Sequence, residues 1–239
     1  MKNKVTPNSK YVRLQKYCSE QGLLSRREAE TYIKNGWIFV NGEVATLGQK
    51  VHSERDKIMV NGPGKRKTYV KYYKSRGIVT NCAQKDEKQI SNVIEKKYRQ
   101  LSAIGRLDKE SEGLILLSDD GLFAKSFLDP NNEHEREYFV RVDRPYPGQM
   151  MEEFYQGVII LGQKTKPAKM KRLSDTTFLL TLREGKNRQI RRMVEAYGCE
   201  VIQLKRIRIG VMELDKMRPN QAVSLSKKEV DSLLKMTAQ

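Results

Sequence analysis

Short β-rich runs alternate with helices from residue 68 to the C-terminus, without the regular βαβ period of a parallel sheet. The predicted strands are Tyr69–Tyr73, Gly77–Thr80, Leu114–Leu117, Glu137–Val142, Val158–Leu161, Phe178–Leu182 and Val201–Leu204. The predicted helices are Gln89–Lys97, Asn187–Tyr197 and a C-terminal helix that begins with the capping box Ser226–Glu229. This pattern predicts an α+β domain over residues 68–239, with a mainly antiparallel, mixed sheet flanked by helices.

Residues 11–62 form a smaller predicted unit of two short helices followed by hairpins. The first helix is predicted over Val12–Ser19, and a capping box between Ser25 and Glu28 opens the second, which runs to Asn35. Two β-rich runs follow, and each ends in an Asn-Gly pair that favours a turn: Trp37–Val40 and Ile58–Val60. A basic linker with Gly and Pro, residues 63–67, separates this unit from the larger domain.

The chain is strongly basic, with 46 Lys and Arg against 29 Asp and Glu and a net charge of +17. A large polyanion suits such a surface, because each neutralised phosphate releases condensed counterions. Acidic membranes attract the same charge, but the sequence shows no basic amphipathic helix and no apolar run of about 18 residues. We therefore expect a large polyanion as the partner, and no membrane.

Cysteine and histidine usage bears on the compartment and on metal chemistry. The three cysteines are odd in number and far apart, which argues for a reducing cytoplasm and against a disulfide framework. His52 and His134 have no ligand-like spacing with each other or with the cysteines. We therefore expect a cytoplasmic protein without a metal site.

One carboxylate in the larger domain is a candidate for chemistry. Asp108 follows Gly105 in a turn directly before the apolar run Leu114–Leu117. A turn against a rigid strand often displays a catalytic side chain, because the strand fixes it and the loop exposes it. An aspartate that only forms the turn through its side chain fits the same position, and the residues alone favour that simpler interpretation.

Two groups of arginines lie on predicted helices. Arg26 and Arg27 occupy the first turn of the second helix, where backbone N–H groups and the helix dipole also favour phosphate. Arg188, Arg191 and Arg192 recur at i,i+3 and i,i+4 spacing, so that two of them share a face. A solvated basic surface is the simpler explanation of the first group and an equal one for the second.

The wording of four segments resembles the RsuA/RluB/RluE/RluF group of ribosomal RNA pseudouridine synthases, most closely its RluF branch. The segments are Lys74–Thr80, Gly105–Gly121, His134–Val140 and Gly185–Met193, the last reading Gly-Lys-Asn-Arg-Gln-Ile-Arg-Arg-Met. Ser75 stands where the family usually has proline, which removes a fixed φ angle but no reactive group. The resemblance implies a pseudouridine synthase catalytic domain over residues 68–239.

The same resemblance implies roles for particular residues. Asp108 matches the catalytic aspartate, and Arg191 matches the arginine that pairs with it. Tyr138 matches the tyrosine that stacks on the target uracil and assists proton removal, and Leu204 is implied as apolar packing beside the flipped base. Three more arginines are implied as RNA contacts: Arg106, Arg188 and Arg192.

The segment from Val12 to Val51 resembles the S4-type RNA-binding domain, which is named after a ribosomal small-subunit protein. The matching run is Ser-Arg-Arg-Glu-Ala-Glu-Thr-Tyr-Ile-Lys-Asn-Gly-Trp-Ile-Phe-Val-Asn-Gly, residues 25–42. Such domains present this helix to structured RNA, which implies that Arg26 and Arg27 contact RNA.

These resemblances imply the isomerisation of one uridine to pseudouridine in large-subunit ribosomal RNA, without a cofactor. Asp108 then acts as a nucleophile or as the base that removes a sugar proton, and the sequence does not choose between them. The alternative is a non-catalytic RNA-binding or ribosome-assembly factor, which has no need to keep Asp108, Tyr138 and Arg191 together. Transfer RNA stays open as a further substrate, and we expect a monomer because no heptad repeat is visible.

Overall fold

The computed structural model describes residues 10–64 and 66–237. The chain divides into two compact units: the residues up to Lys67 with Asp120–Lys125, and Thr68–Asp119 with the residues from Ser126 onward. Lys65, in the predicted linker, lies outside the described residues. None of the described helices has the length and apolarity needed to cross a membrane. Within the same residues, no three His, Cys, Asp or Glu side chains group as metal ligands.

The smaller unit consists of two helices and short antiparallel strands. Helix α1 spans Leu14–Glu20 and α2 spans Arg26–Lys34. The strands are β1 Tyr11–Arg13, β2 Ile38–Val40, β3 Glu43–Val44, β4 Lys50–His52 and β5 Ile58–Val60. Strand β1 pairs with β4, and β2 lies between β3 and β5. Apolar side chains from both helices and from the strands form the core of this unit: Leu14, Cys18, Ala29, Ile33, Ile38, Val40 and Val51.

The start of α2 is as predicted, whereas the start of α1 is not. The Glu28 N–H donates to Ser25 Oγ at 3.4 Å, and the Ser25 N–H donates to Glu28 Oε2 at 3.1 Å, which completes the capping box. The first helix was predicted to begin at Val12, but Val12 pairs with Val51 in the β1–β4 ladder. Pairing with β4 outweighs helical spacing at this position, so α1 begins two residues later.

The two Asn-Gly pairs have different structures. Asn41 and Gly42 have φ of 53° and 91° and connect β2 to β3, which confirms the predicted hairpin turn. The turn predicted at Asn61 and Gly62 is wrong, because neither residue has a positive φ. Gly62 is instead a point of close approach: a Cβ there would lie 2.4 Å from Cε1 of Tyr32.

The larger unit contains a nine-stranded sheet and a separate two-stranded hairpin. The strands are β6 Tyr69–Lys74, β7 Ser102–Ile104, β8 Glu112–Ser118, β9 Arg136–Val142, β10 Ile159–Ile160, β11 Gln163–Lys164, β12 Lys169–Arg172, β13 Thr177–Leu182, β14 Val201–Ile209, β15 Met212–Glu213 and β16 Ala222–Ser224. The sheet order is β12-β13-β9-β14-β8-β6-β16, with β15 on β14 and β7 on β8. Only the β14–β8 pair is parallel among these described strands, so the predicted mixed, mainly antiparallel sheet is confirmed.

Five further helices lie along the rest of the chain: α3 Ile90–Val93, α4 Gly121–Phe127, α5 Met150–Gln156, α6 Gln189–Glu195 and α7 Lys227–Thr237. The helix predicted over Gln89–Lys97 is wrong as one element, because α3 ends after a single turn and a separate 3-10 turn covers Lys96–Tyr98. The strand predicted over Gly77–Thr80 is also wrong. Only Val79 makes a bridge there, and the backbone N–H of Gly77 bonds to a loop instead of a strand.

Two apolar clusters share one face of the large sheet. Strands β9, β13 and β14 carry one cluster, which includes Val140, Phe178 and Leu204. Strands β6 and β8 carry the other, which includes Tyr72 and Ile115. Residues that lie opposite each other on neighbouring strands point to the same face. The parallel β14–β8 pair is therefore the seam between the two clusters.

Candidate active site

The Asp108 side chain lies in the loop between β7 and β8. Gly105 begins this loop with φ of 82°, and the Ser111 N–H closes a turn by donating to the Asp108 carbonyl at 3.1 Å. Strand β8 begins directly afterwards at Glu112 and is buried over most of its length. The Asp108 side chain is half-buried, so it is both held by the sheet and open to a ligand.

The backbone of this loop is fixed from a second segment, residues 74–80. The Thr80 hydroxyl donates to the Leu107 carbonyl at 2.8 Å and accepts from the Leu107 N–H at 3.0 Å. The Gly77 N–H donates to the Lys109 carbonyl at 2.8 Å. Both residues that flank Asp108 are therefore tied to this segment.

Lys74 supplies the strongest of these anchors. Its side chain is fully buried, and Nζ donates to the carbonyls of Ile78 at 2.6 Å, Ser111 at 2.7 Å and Ser75 at 3.1 Å. Burial lowers the pKa of Lys74 to about 8, although the nearby charges of Asp108 and two glutamates oppose this shift. Sequence reasoning named the Lys74–Thr80 segment but gave neither Lys74 nor Thr80 a role.

The residue before Asp108 belongs to a buried apolar cluster. Leu107, Tyr138 and Leu204 belong to one buried cluster, with exposed fractions of 8%, 9% and 6%. Tyr138 lies on β9 and Leu204 on β14, while Leu107 directly precedes the aspartate. The structure thus brings two of the three other predicted site residues together with the Asp108 loop.

Arg191 lies on α6 at the edge of this loop. Its Nη1 donates to the Val201 carbonyl at 2.9 Å and its Nη2 to the Glu110 carbonyl at 3.4 Å. No ion pair within 4.0 Å joins Arg191 to Asp108, although both lie in the described residues. Burial first and then Arg188 lower the pKa of Arg191, while Glu110 and Asp108 raise it. Arg191 therefore interacts electrostatically with Asp108. It does not form the direct ion pair with Asp108 that the resemblance implied.

The other arginines near α6 differ in their contacts. Arg188 precedes the helix with φ of 50°, and its Nη1 lies 3.2 Å from Glu110 Oε2, two residues beyond Asp108. Arg192 turns back to its own helix start, where Nε donates to the Asn187 carbonyl at 3.1 Å. Arg106 is exposed on the Asp108 loop. Arg188 thus contacts the Asp108 loop at Glu110 and Arg106 lies on that loop, whereas Arg192 is held by Asn187.

Arg26 and Arg27 belong to the smaller unit. Both side chains are exposed in the first turn of α2, where the capping box leaves the helix start ordered. Neither guanidinium makes a hydrogen bond or an ion pair with any residue in the described part of the chain. Two uncompensated positive charges at a helix start form a site that favours anions.

Comparison with known proteins decides the family. The RNA pseudouridylate synthase model matches residues 68–196, and the S4 domain model matches residues 12–58. The chain belongs to the RNA pseudouridylate synthase family. It is accordingly an isomerase, and its segment 68–196 contains Lys74, Asp108, Tyr138 and Arg191.

Individual relatives of this pseudouridine synthase extend over nearly all of it. The dual-specificity RNA pseudouridine synthase RluF of Escherichia coli (strain K12) is 38% identical over 94% of this chain and 79% of its own length. The ribosomal large subunit pseudouridine synthase B of Bacillus subtilis (strain 168) is 38% identical over 92% of this chain and 95% of its own length. A crystal structure of a pseudouridylate synthase has a TM-score of 0.70 at 29% identity, with 93% of this chain and 99% of the other covered. These relatives confirm the RsuA/RluF group and the fold.

Proposed function

We propose that this synthase converts one uridine of large-subunit ribosomal RNA to pseudouridine, with Asp108 as the catalytic carboxylate. The observation that carries the proposal is the position of Asp108. Its loop is fixed by Lys74 and Thr80, and the residue before it, Leu107, belongs to the same buried cluster as Tyr138 and Leu204. A charged group next to an apolar cluster suits a reaction at the bond between a sugar and a base.

The reaction exchanges one glycosidic bond for another. The C1′–N1 bond breaks, and its electron pair stays with the uracil. The ring turns until C5 bonds to C1′; C5 then loses its proton and N1 gains one, so that the product is an isomer of the substrate. The base must first leave its stack, because its reacting atoms are out of reach inside a helix. Asp108 either attacks C1′ or takes a sugar proton, and both routes need it ionised.

Two cations lie near the Asp108 loop. The Lys74 ammonium and the Arg191 guanidinium both interact electrostatically with Asp108. In this proposal Tyr138 stacks on the turned base and Leu204 packs beside it. Their common membership of the cluster that includes Leu107 supports these roles.

The substrate assignment draws on relatives and on charge. The relative from Bacillus subtilis is named a ribosomal large subunit pseudouridine synthase. Ribosomal RNA also suits the net charge of +17 and the exposed Arg26 and Arg27. The proposal includes action in the cytoplasm as a monomer. Residues 11–62 form the RNA-binding domain and residues 63–67 the linker. The RNA contacts are Arg26, Arg27, Arg106, Arg188 and Arg192.

Release of tritium from C5 tests the proposal, because the C5 proton is lost when C5 joins C1′. Large-subunit rRNA transcribed with C5-tritiated uridine is incubated with the parent enzyme or with Asp108→Asn. We expect release by the parent and none by the variant, with the affinity for RNA nearly unchanged. Release by Asp108→Asn at the parent's rate would contradict the assignment of Asp108 as the catalytic carboxylate. Release only from transfer RNA or small-subunit rRNA overturns the substrate assignment.

A further inference from the structure

Arg206 is a buried cation with an unused hydrogen-bond donor. Its side chain is 4% exposed, and Nε donates to the Leu114 carbonyl at 2.7 Å. Its Nη2 is buried and has no hydrogen-bond partner within the described residues. Burying a charge without a partner is costly, and a neutral side chain of similar size avoids that cost. A purely structural role therefore explains Nε but leaves Nη2 unexplained.

The sheet register places Arg206 in the candidate active site. Arg206 lies opposite Tyr138 on β9 and opposite Gly113 on β8, and Gly113 in turn lies opposite Lys74 on β6. Opposite residues share a face, so Tyr138, Arg206 and Lys74 form one row across the sheet. Leu204, two residues before Arg206, lies on this face as well.

The row contains a glycine, Gly113, between Arg206 and Lys74. Gly113 has φ of 109°, and a Cβ there would lie 2.3 Å from the Arg206 carbonyl oxygen. Without a side chain at Gly113, nothing from β8 screens Arg206 from Lys74, and the two like charges interact unfavourably. Arg136, diagonally across β9, adds a third positive charge next to Arg206 and Tyr138. Lys74 has the carboxylates of Asp108, Glu110 and Glu112 near it, whereas Arg206 and Arg136 form no ion pair within the described residues. An electron-rich partner would suit these two arginines.

We propose that Arg206 Nη2 donates to a carbonyl oxygen of the target uracil and stabilises the negative charge that the ring carries after the C1′–N1 bond breaks. The charge spreads onto the carbonyl oxygens and returns to the ring when C5 joins C1′. A uracil fits better than a phosphate, because Tyr138 and Leu204 offer an aromatic and an apolar surface on the same face as Arg206. This inference rests on the proposed function and assigns Arg206 as a further catalytic residue.

Single-turnover kinetics test the role of Arg206. The parent, Arg206→Met and Arg206→Lys are each mixed in excess with C5-tritiated large-subunit rRNA, and the dissociation constant and its salt dependence are measured separately. Loss of one donor to developing negative charge lowers the rate by roughly 100- to 1000-fold. We expect that loss for Arg206→Met, partial recovery for Arg206→Lys, which keeps the charge, and unchanged RNA binding in both.

Arg208→Met is the matched control, because Arg208 lies on the same strand but pairs with Glu135 and Glu137 on the opposite face. We expect it to keep the parent's rate. A parent rate in Arg206→Met overturns the inference. If Arg206→Met does not fold, the inference is overturned by a parent rate in Arg206→Lys. Weaker binding with a shallower salt dependence at an unchanged rate also overturns it, in favour of a phosphate contact. Failure of the parent itself to release tritium refutes the proposed function instead.

Discussion

At the scale of single residues, Lys74 connects the stability of the molecule to its candidate active site. Three backbone carbonyls accept its protons, and one of them belongs to Ser111 in the Asp108 turn. Burial removes the Lys74 ammonium from water and disfavours its charged form. The pKa of Lys74 in the folded state is therefore lowered to about 8, from the ordinary value of 10.5. This shift makes the contribution of Lys74 to folding dependent on pH.

The sign of that dependence follows from proton binding. Below pH 8 the folded and the unfolded chain both hold the proton, and between pH 8 and 10.5 the unfolded chain holds more of it. Stability therefore rises with pH through this group. We expect the free energy of unfolding of the parent, relative to Lys74→Met, to rise by up to about 3 kcal/mol over this range, at roughly 1.36 kcal/mol per pKa unit. Urea unfolding at several pH values measures the difference, and a difference independent of pH contradicts the prediction.

Site residues could be predicted from the sequence where they lie in segments that resemble the motifs of a known family. Asp108, Tyr138 and Leu204 were named from their segments, and the structure places them around one loop and one cluster. Lys74 and Thr80 were not assigned roles, because their partners lie 37 and 27 residues away along the chain. Hydrogen bonds to backbone atoms leave no signature in residue types, so only the fold reveals them.

At the scale of elements, the parallel contact of β8 and β14 depends on Gly113. The residue combines a positive φ with a backbone approach that leaves no room for a Cβ. An alanine there is strained in its backbone and displaces the backbone of Arg206, and each effect costs about 1–3 kcal/mol. The predicted run Leu114–Leu117 did not indicate that a glycine is required before it. The residues of one strand alone do not determine its register with a strand that is distant in sequence.

We expect Gly113→Ala to lower the free energy of unfolding by at least about 2 kcal/mol. Gly148→Ala is the control, because Gly148 has open space around its Cβ position and no positive φ. Urea unfolding of both variants and the parent measures the difference. Equal stabilities for the two variants would show that β8 and β14 adjust to a side chain at no cost.

Strands on the border of the sheet were the elements that the sequence missed. Strand β12 carries Lys169, Lys171 and Arg172, all exposed, so it lacks the apolar alternation that indicates a strand. Charged residues suit an edge strand because they oppose pairing with another chain. Central strands such as β9 and β13 were predicted within one residue at each end, because their burial alternates along the chain and leaves the period-2 pattern of a strand with one buried face.

At the scale of the whole molecule, charge divides between two units with different roles in the proposed function. The larger unit holds Asp108 and the residues around it, and the smaller unit exposes Arg26 and Arg27 at the start of α2. A contact to phosphate contributes to RNA affinity through counterion release and leaves the chemistry at Asp108 untouched. Reversing the charge of the two arginines therefore separates binding from turnover.

We expect Arg26→Glu with Arg27→Glu to weaken binding to large-subunit rRNA and to reduce the slope of log affinity against log salt by about 1–2, since each lost phosphate contact removes roughly 0.7–0.9. Tritium release at saturating RNA should keep the parent's rate. Arg55→Glu with Lys57→Glu is the matched control, because it makes the same change of net charge at exposed positions of the same unit. An equal loss in both double variants would mean that net charge alone attracts the RNA. An unchanged slope in the first would remove Arg26 and Arg27 from the RNA-binding surface.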